Sequence, residues 1–198
     1  MGLIKIALAG EGGQGVQSVA EILAEAAYNE GKQAIYIPNF GLEQRGGVSI
    51  AFLQVSDKRI GAPKFNKADI VVALSERAVV RSHNYSGPDT IFVYDSSFSV
   101  QPEELPPVYK TLIDIPAIEN SKRLSTRVFN VIIMGAVLAL NEIVSFDSVR
   151  EALQKKLGYK FEKNAELREL NFKALDVGRQ LIKEKMKGGE KVCASSNQ

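Results

Sequence analysis

Residues 3–16 read LIKIALAGEGGQGV, and this stretch decides the fold of the chain. Its first seven residues are almost all apolar, which is typical of a strand buried in a parallel sheet. Gly10, Gly12 and Gly15 follow in a G-x-G-x-x-G pattern, and Gly31 is placed to end the next helix. Apolar residues mark one face of that helix: Val16, Val19, Ala20, Leu23, Ala24 and Ala27. A strand, a glycine turn and a helix in this order predict an α/β fold.

Five further segments are predicted as strands. Residues 33–37 complete a βαβ unit with the first strand and helix. Residues 48–55 alternate in polarity, so we expect an irregular or antiparallel strand there. Residues 70–74 and 90–94 are strongly apolar and are predicted as buried strands, and a last strand is expected near 109–115.

The second half of the chain carries mostly helical patterns. A short helix is expected from about 76 to 83, between two of the strands. The segment 126–142 is apolar nearly all round, which predicts a helix that is buried or lies in an interface. A helix that starts near residue 145 should stop at Gly158, and another is predicted over 164–185.

These elements predict an α/β protein with a Rossmann-like, mainly parallel sheet flanked by helices and a helical C-terminal part. At 198 residues the chain is long enough for one well-packed domain and rather short for two. We expect residues 1–187 to form that single domain and residues 188–198 to be a disordered tail.

Composition excludes several classes of function. Lys and Arg number 25 against 23 Asp and Glu, giving a net charge of +2, without the clustered basic excess of a nucleic-acid binder. One cysteine, Cys193, and one histidine, His83, cannot supply the roughly four ligands of an iron–sulfur cluster or a zinc site. The longest apolar run, 128–140, is too short to cross a bilayer. With no signal-peptide pattern at the start, we expect a cytoplasmic protein that binds no metal, nucleic acid or membrane.

The first glycine loop suits an anionic ligand. Backbone N–H groups at the start of the helix attract anions such as phosphate, and glycines allow a ligand to approach closely. A nicotinamide dinucleotide site would also need an acidic residue at the end of the second strand. That strand ends at Asn39, and the nearest acid is Glu43. An anionic group of another ligand or partner is therefore the preferred interpretation, and glycines that merely permit strand–helix packing are the structural alternative.

A second glycine-rich loop, residues 41–47, strengthens this interpretation. It places the Glu43 carboxylate and the Arg45 guanidinium beside Gly46 and Gly47, and the planar guanidinium suits phosphate or carboxylate. The alternative is a surface turn with an incidental ion pair of little energy. Loops that follow the first two strands of such a sheet lie at one edge, so both can face one ligand. The predicted binding residues are Gly12, Gly13, Gln14, Gly15, Val16, Glu43, Arg45 and Gly46.

Taken together, the two loops resemble those of the gamma subunit of the 2-oxoacid:ferredoxin oxidoreductases, which act on pyruvate, 2-oxoglutarate or 2-oxoisovalerate. The resemblance extends over about residues 3–180. The matching motifs are Gly10-x-Gly12-Gly13-Gln14-Gly15-Val16, Gly41-x-Glu43-x-Arg45-Gly46-Gly47, the strand at 68–74, Asn130 with 134–136, and Asn171-x-x-Ala174-Leu175-x-x-Gly178.

The resemblance implies a role within a larger enzyme of anaerobic metabolism. That enzyme oxidatively decarboxylates a 2-oxoacid to acyl-coenzyme A, carbon dioxide and reduced ferredoxin. Thiamine diphosphate with Mg²⁺ lies between the alpha and beta subunits, and a ferredoxin-like delta subunit carries the iron–sulfur clusters. The gamma subunit has no catalytic residues, is inactive alone, and contributes to coenzyme A binding and subunit assembly. The expected partners are the alpha, beta and delta subunits, ferredoxin as electron acceptor, and coenzyme A.

Three alternatives remain open from the sequence. The small subunit of an indolepyruvate-type oxidoreductase shares this domain. A stand-alone NAD-dependent dehydrogenase is disfavoured by the missing acid after the second strand. A purely structural docking module would have no affinity for coenzyme A.

Several single residues have simpler interpretations. His83 is expected at an exposed helix end, and Asp95, after a buried strand, as a cap. Asn130 is interpreted as a satisfied core amide, and Cys193 as incidental. Replacing Gly12 by Val is expected to disrupt the turn.

Overall fold

A six-stranded mixed sheet forms the centre of the computed structural model, which describes residues 2–40 and 47–187. Residues 41–46 and the predicted tail at 188–198 lie outside the described residues. The strands are β1 (Ile4–Glu11), β2 (Gln33–Asn39), β3 (Val48–Ser56), β4 (Ile70–Ala73), β5 (Ile91–Asp95) and β6 (Thr111–Ile115). The helices are α1 (Val16–Asn29), α2 (Glu76–Arg81), α3 (Ala117–Leu124), α4 (Phe129–Leu140), α5 (Phe146–Lys163) and α6 (Ala165–Lys187).

The sheet has the strand order β2-β3-β1-β4-β5-β6. The neighbours β1, β4, β5 and β6 pair in parallel, and β3 is antiparallel to both β1 and β2. The prediction of a mainly parallel sheet with an antiparallel strand at 48–55 is therefore confirmed. We call the edge at which the four parallel neighbours end the carboxyl edge.

The predicted βαβ unit is split, because β3 lies between β1 and β2. Phe52 of β3 pairs with Ala7 on one side and with Ile37 on the other. Most of β3 is buried, whereas β2 is only partly buried, so β3 takes the inner position. Pro38 in β2 has no backbone N–H and suits an edge strand.

Helices cover the two faces of the sheet unequally. On the first face, α1 and α3 to α6 pack against side chains such as Ile6 and Leu8 of β1. On the second face, α2 and the loops around it pack against Ala7 and Ala9. Since successive side chains of a strand point to opposite faces, this central strand supports both cores.

The contact between α4 and α6 is close enough to require glycine on both helices. A Cβ atom at Gly135 would lie 2.0 Å from the carbonyl oxygen of Leu175, and one at Gly178 would lie 1.9 Å from that of Ile132. Residues 131–138 of α4 are buried. The expectation that this apolar segment is buried is thus confirmed, although the helix begins at Phe129, after a short 3-10 turn.

One predicted helix end was wrong, and one helix was not predicted. Helix α5 continues through Gly158 and ends at Lys163. An added Cβ at Gly158 would be 3.7 Å from its nearest neighbour, the Nε2 atom of Gln154, which is an ordinary van der Waals contact. Gly158 therefore does not interrupt the helix. Helix α3 was not predicted because its sequence is mostly polar. The Asp95 carboxylate caps it by accepting a 2.7 Å hydrogen bond from the Ile118 N–H.

An ionised glutamate ties the connection between α4 and α5 to the end of α1. Glu30 accepts a 2.7 Å hydrogen bond from the Ser145 N–H and pairs with Lys32 at 2.9 Å. Burial raises the pKa of Glu30, but these hydrogen bonds outweigh it and lower the pKa to about 2. Gly31, just beyond the helix, has φ 75°, as expected for its predicted cap.

Within residues 2–40 and 47–187, no helix has both the length and the hydropathy needed to cross a membrane.

The contact between α4 and α6 predicts opposite effects of the same substitution at two helical glycines. Gly178→Ala should lower the free energy of unfolding by about 2 kcal/mol or more, because a methyl group would collide with the α4 backbone. Gly158→Ala in α5 is the matched control, and it should raise that free energy by about 0.5–1 kcal/mol through better helix propensity. Urea denaturation of both variants measures the difference. Equal effects would show that α4 and α6 are not in this close contact.

Candidate functional site

The first glycine loop lies at the carboxyl edge, between the ends of β1 and β4. Helix α1 leaves β1 toward the first face, and α2 follows β4 onto the second face. Open α/β sheets form a ligand crevice where neighbouring strands send their helices to opposite faces. The loop therefore occupies the position in the sheet where a ligand is expected.

Among the described residues, nothing packs against the tip of this loop. Gly13 has φ 89° and Gly15 has φ 76°, both in the left-handed region that favours glycine. A Cβ atom added at Gly12 or Gly13 would meet nothing within 4 Å. Gly12 does not have a positive φ, so the expectation that Gly12→Val disrupts the turn is wrong. The added side chain would instead occupy the space that a ligand would enter.

The N-terminus of α1 faces this space, and no side chain of residues 2–40 or 47–187 caps it. Gly15 is the N-cap residue and provides no side-chain hydrogen bond, and no acidic residue lies in the first turn. The first N–H groups of a helix have no partner within it and carry a partial positive charge. Val16 contributes only its N–H, because its side chain is buried in the core. This arrangement can bind an anionic group.

Gln14 holds the shape of the loop. Its Oε1 accepts a 2.7 Å hydrogen bond from the Glu11 N–H, and its Nε2 donates a 2.7 Å hydrogen bond to the carbonyl oxygen of Leu74. The side chain thus joins the end of β1 to the residue that follows β4. The sequence predicts Gln14 to be a binding residue, whereas in the structure its side-chain amide points inward and bonds the protein's own backbone.

Asn130, at the start of α4, presses against the other side of the loop. Its Nδ2 would lie 2.6 Å from a Cβ added at Gly15. The absence of a side chain at Gly15 therefore leaves room for the Asn130 side chain. Asn130 is only partly buried, and its side-chain amide has no hydrogen-bond partner among the described residues. The interpretation of Asn130 as a satisfied core amide is therefore wrong. The one sequence signal that could have pointed to Asn130 as a functional residue is its place among the motifs that match the family.

Two other polar residues that the sequence singled out already have hydrogen-bond partners within the protein. Asp95 is 2% exposed and accepts hydrogen bonds from Ile118, as described above, and from the N–H and hydroxyl of Ser97 at 2.9 and 2.6 Å. It is a cap, as predicted. His83 lies directly after the end of α2, as predicted, but it is partly buried rather than exposed, with its Nε2 2.5 Å from the carbonyl oxygen of Glu104.

The second glycine loop starts and ends at the same edge. Glu11 pairs with Val48 at the start of β3, and Asn39 at the end of β2 pairs with Ile50. The connection that these two strands flank therefore leaves and re-enters the sheet on the side of the first loop. Three predicted binding residues of this connection lie outside the described residues: Glu43, Arg45 and Gly46.

The strand order disfavours a nicotinamide dinucleotide. Because β3 intervenes, the end of β2 lies two strand spacings, about 10 Å, from the strand that carries the first glycine loop. A ribose-binding carboxylate belongs at the end of that second strand, and Asn39 stands there. The geometry and the residue type both differ from those of a dinucleotide site.

The chain matches the family described as pyruvate ferredoxin/flavodoxin oxidoreductase over residues 5–181. The ketoisovalerate oxidoreductase subunit VorA of Methanothermobacter thermautotrophicus is 29% identical over 189 residues, which cover 93% of this chain and 38% of the relative. The chain thus spans well under half the length of this relative and of its counterpart in Methanothermobacter marburgensis.

Two solved structures share the fold. A 2-oxoglutarate:ferredoxin oxidoreductase from Magnetococcus marinus, with 2-oxoglutarate, coenzyme A and succinyl-CoA bound, superposes with a TM-score of 0.82 at 27% identity, covering 93% of this chain and 32% of that one. The gamma subunit of a keto/oxoacid ferredoxin oxidoreductase from Geobacter sulfurreducens superposes with a TM-score of 0.75 at 28% identity. That match covers 91% of this chain and 99% of the gamma subunit.

The role of Gln14 in shaping the loop can be tested by Gln14→Met, which keeps the length of the side chain and removes both hydrogen bonds. The Glu11 amide should exchange with deuterium faster, and the free energy of unfolding should fall by about 1–3 kcal/mol. Gln33→Met, at an exposed position of β2, is the matched control and should change neither. An unchanged exchange rate at Glu11 would show that the Gln14 amide does not fix the loop.

Proposed function

The chain belongs to the pyruvate ferredoxin/flavodoxin oxidoreductase family, and we propose that it serves as the gamma subunit of a cytoplasmic, multi-subunit 2-oxoacid:ferredoxin oxidoreductase. The complex converts a 2-oxoacid, coenzyme A and oxidised ferredoxin into acyl-coenzyme A, carbon dioxide and reduced ferredoxin. Pyruvate and 2-oxoglutarate are the favoured substrates. The partners are alpha, beta and delta subunits, and the chain is inactive without them.

One observation carries this proposal: the N-terminus of α1, which no described side chain caps, opens into the crevice at the carboxyl edge, beside glycines that leave room for a ligand. Coenzyme A offers a diphosphate that suits such a site. The Magnetococcus marinus oxidoreductase, which has coenzyme A bound, supports this choice of ligand. The dehydrogenase alternative is not favoured, because no acid stands at the end of β2. The indolepyruvate-type alternative is not favoured by the names of the relatives either.

The residues of this chain bind and position coenzyme A and do not react with it. The N–H groups from Gly12 to Val16 hold phosphate oxygens, while Gln14 keeps those groups in place. Asn130 offers its partly exposed amide from the other side of the loop. Arg45, from the predicted second glycine loop, supplies a guanidinium that pairs with phosphate or with a partner subunit. Thiamine diphosphate, Mg²⁺ and the iron–sulfur clusters belong to partner subunits and supply decarboxylation and electron transfer.

The carboxyl edge also suits subunit assembly. Phe40, directly after β2, is 68% exposed, and an exposed aromatic ring beside a ligand site is typical of a contact surface between subunits. The two roles are compatible, because a partner subunit that covers this edge would enclose the coenzyme A held there.

The subunit role is tested by purifying the chain under anaerobic conditions from its own cells. Chains that bind thiamine diphosphate and chains rich in cysteine should co-purify with it. The preparation should reduce ferredoxin with one 2-oxoacid when coenzyme A is present. A chain that purifies alone or as a homo-oligomer would contradict the proposal.

Two variants test coenzyme A binding in that complex. Gly12→Val fills the open space at the loop and should raise the Michaelis constant for coenzyme A at least about tenfold, equivalent to about 1.4 kcal/mol. Arg45→Ala should raise it by up to about tenfold. The Michaelis constant for the 2-oxoacid and the subunit composition should not change.

Gly61→Val is the matched control, because a Cβ at Gly61 also meets nothing within 4 Å but lies away from the loop. If Gly12→Val assembles normally and leaves the constant for coenzyme A unchanged, the first glycine loop does not contact this ligand.

A further inference from the structure

On the second face of the sheet, the apolar side chains of β2 are not taken up into a core. Ile35 and Ile37 are partly buried and belong to neither of the two hydrophobic cores. Helix α2, which is six residues long, packs on this face against β1, β3 and β4. Because β2 is also the edge strand, these side chains are available to another molecule.

A groove of about 390 Å³ lies beside them. Ile37 and three aromatic rings line it. The Phe52 ring lies edge to face with those of Phe65 and Tyr85, at centroid distances of 5.5 and 4.9 Å. All four side chains are only partly buried. Apolar side chains that stay accessible together, with polar residues around them, are typical of a protein interaction site.

The connection between β3 and β4, residues 57–67, borders this groove and carries four basic residues and one acid. It is held on the second face of the sheet. The Nε2 of the buried Gln54 donates a 2.9 Å hydrogen bond to the carbonyl oxygen of Ala62, and Phe65 packs on Phe52. The basic residues therefore have a fixed place beside the groove.

Three of the four cations are free of partners among the described residues. Lys58, Arg59 and Lys64 are exposed, and their side chains form no hydrogen bond or ion pair there. The fourth, Lys67, donates hydrogen bonds to backbone carbonyl groups, and the one acid, Asp57, has a partner within the protein. Three unpaired positive charges beside an apolar groove are complementary to an acidic protein surface.

The cations extend along the sheet. Strand β3 ends at the edge opposite the carboxyl edge, so Lys58 and Arg59, which follow it, start the row there. Lys64 lines the groove together with Asn39, at the carboxyl-edge end of β2. A row of this length fits a chain segment better than a small molecule. At the carboxyl edge it adjoins Phe40, the exposed ring proposed above as a subunit contact.

We propose that the groove and these three cations form a docking surface for an acidic, amphipathic segment of a partner subunit. Apolar side chains of that segment fill the groove, and its carboxylates pair with Lys58, Arg59 and Lys64. The inference rests on the proposed function, because it requires a multi-subunit complex. It adds the place and the chemistry of one contact within that complex.

Cross-linking of the native complex, with and without added ferredoxin, tests this contact directly. A carbodiimide joins a lysine amine to a carboxylate only when the two groups touch. Mass spectrometry should find Lys58 or Lys64 linked to an aspartate or glutamate of a partner subunit. Lys173, exposed on α6, is the control and should not be linked to the same segment.

Charge reversal tests whether the cations hold the partner. A chain with Lys58→Glu, Arg59→Glu and Lys64→Glu should release the partner subunit at an NaCl concentration at least about twofold lower than the wild type, because salt screens contacts between exposed charges. Gel filtration of the complex at increasing NaCl concentrations, with analysis of the subunits retained, measures the difference.

The matched control reverses three exposed lysines of α5 and α6 instead: Lys160, Lys163 and Lys173. It changes the net charge of the chain by the same amount and should leave the release of that subunit unchanged. Denaturation curves establish that each variant is folded.

A further variant tests the groove. Ile37→Thr keeps the β-branched shape that suits a strand but places a hydroxyl group among the rings. It should raise the dissociation constant of the partner subunit about tenfold, and this effect should persist at high salt, because apolar contacts are not screened. Val108→Thr makes a similar change at a position that is 44% exposed before β6, at the other end of the sheet, and should have no effect.

The outcomes separate this inference from the proposed function. Links from Lys58 or Lys64 to a partner subunit, with weaker retention of that subunit by the charge-reversed chain, support the docking surface. Links to ferredoxin or to a second copy of this chain overturn the choice of occupant. A complex that forms no such links and stays intact with both kinds of variant overturns the inference and leaves the proposed function standing. A chain that purifies without partners contradicts the proposed function, and the inference with it.

Discussion

The backbone contact between α4 and α6 is the constraint on which the site depends. Two glycines, Gly135 and Gly178, let each helix rest directly on a carbonyl group of the other. Helix α4 is thereby held in the interior, with its first turn at the carboxyl edge. That placement brings Asn130 against Gly15, at the base of the glycine loop. The conformation of the glycine loop at the carboxyl edge thus depends on the packing of α4 against α6 as well as on contacts within the loop.

Hydrogen bonds fix the same loop from within. Gln14 links it to the end of β1 and to the residue after β4. The N–H donors at the start of α1 are therefore held in position before any ligand arrives, which lowers the entropic cost of binding. The nearby carboxylate of Asp95 is used as a cap. This edge is equipped for holding a ligand, in agreement with a subunit that positions a substrate for chemistry carried out by its partners.

Much of this arrangement could be predicted from the sequence. The glycine loop, α1 and its end at Gly31 follow from local chemistry, and the antiparallel β3 follows from its alternating pattern. The insertion of β3 between β1 and β2 could not be predicted, because pairing partners are chosen by burial across the whole sheet. The inward turn of Gln14 and the position of the partly buried Asn130 depend on contacts with residues 60 and 115 positions away. Contacts between residues so far apart in the chain cannot be predicted from the local sequence pattern.

The direction of α6 determines where reporter groups can be placed on this protein. Gly178 lies against Ile132 and Leu175 against Gly135, so α6 runs antiparallel to α4 and toward the carboxyl edge. From Gly178 to Lys187 it advances by about 14 Å, and Lys185 on this last part pairs with Asp114 of β6. The start of β1 lies at the opposite edge. A fluorophore ahead of β1 therefore stays clear of the crevice, whereas one attached at the position of Lys185 would lie at the carboxyl edge and report on events there.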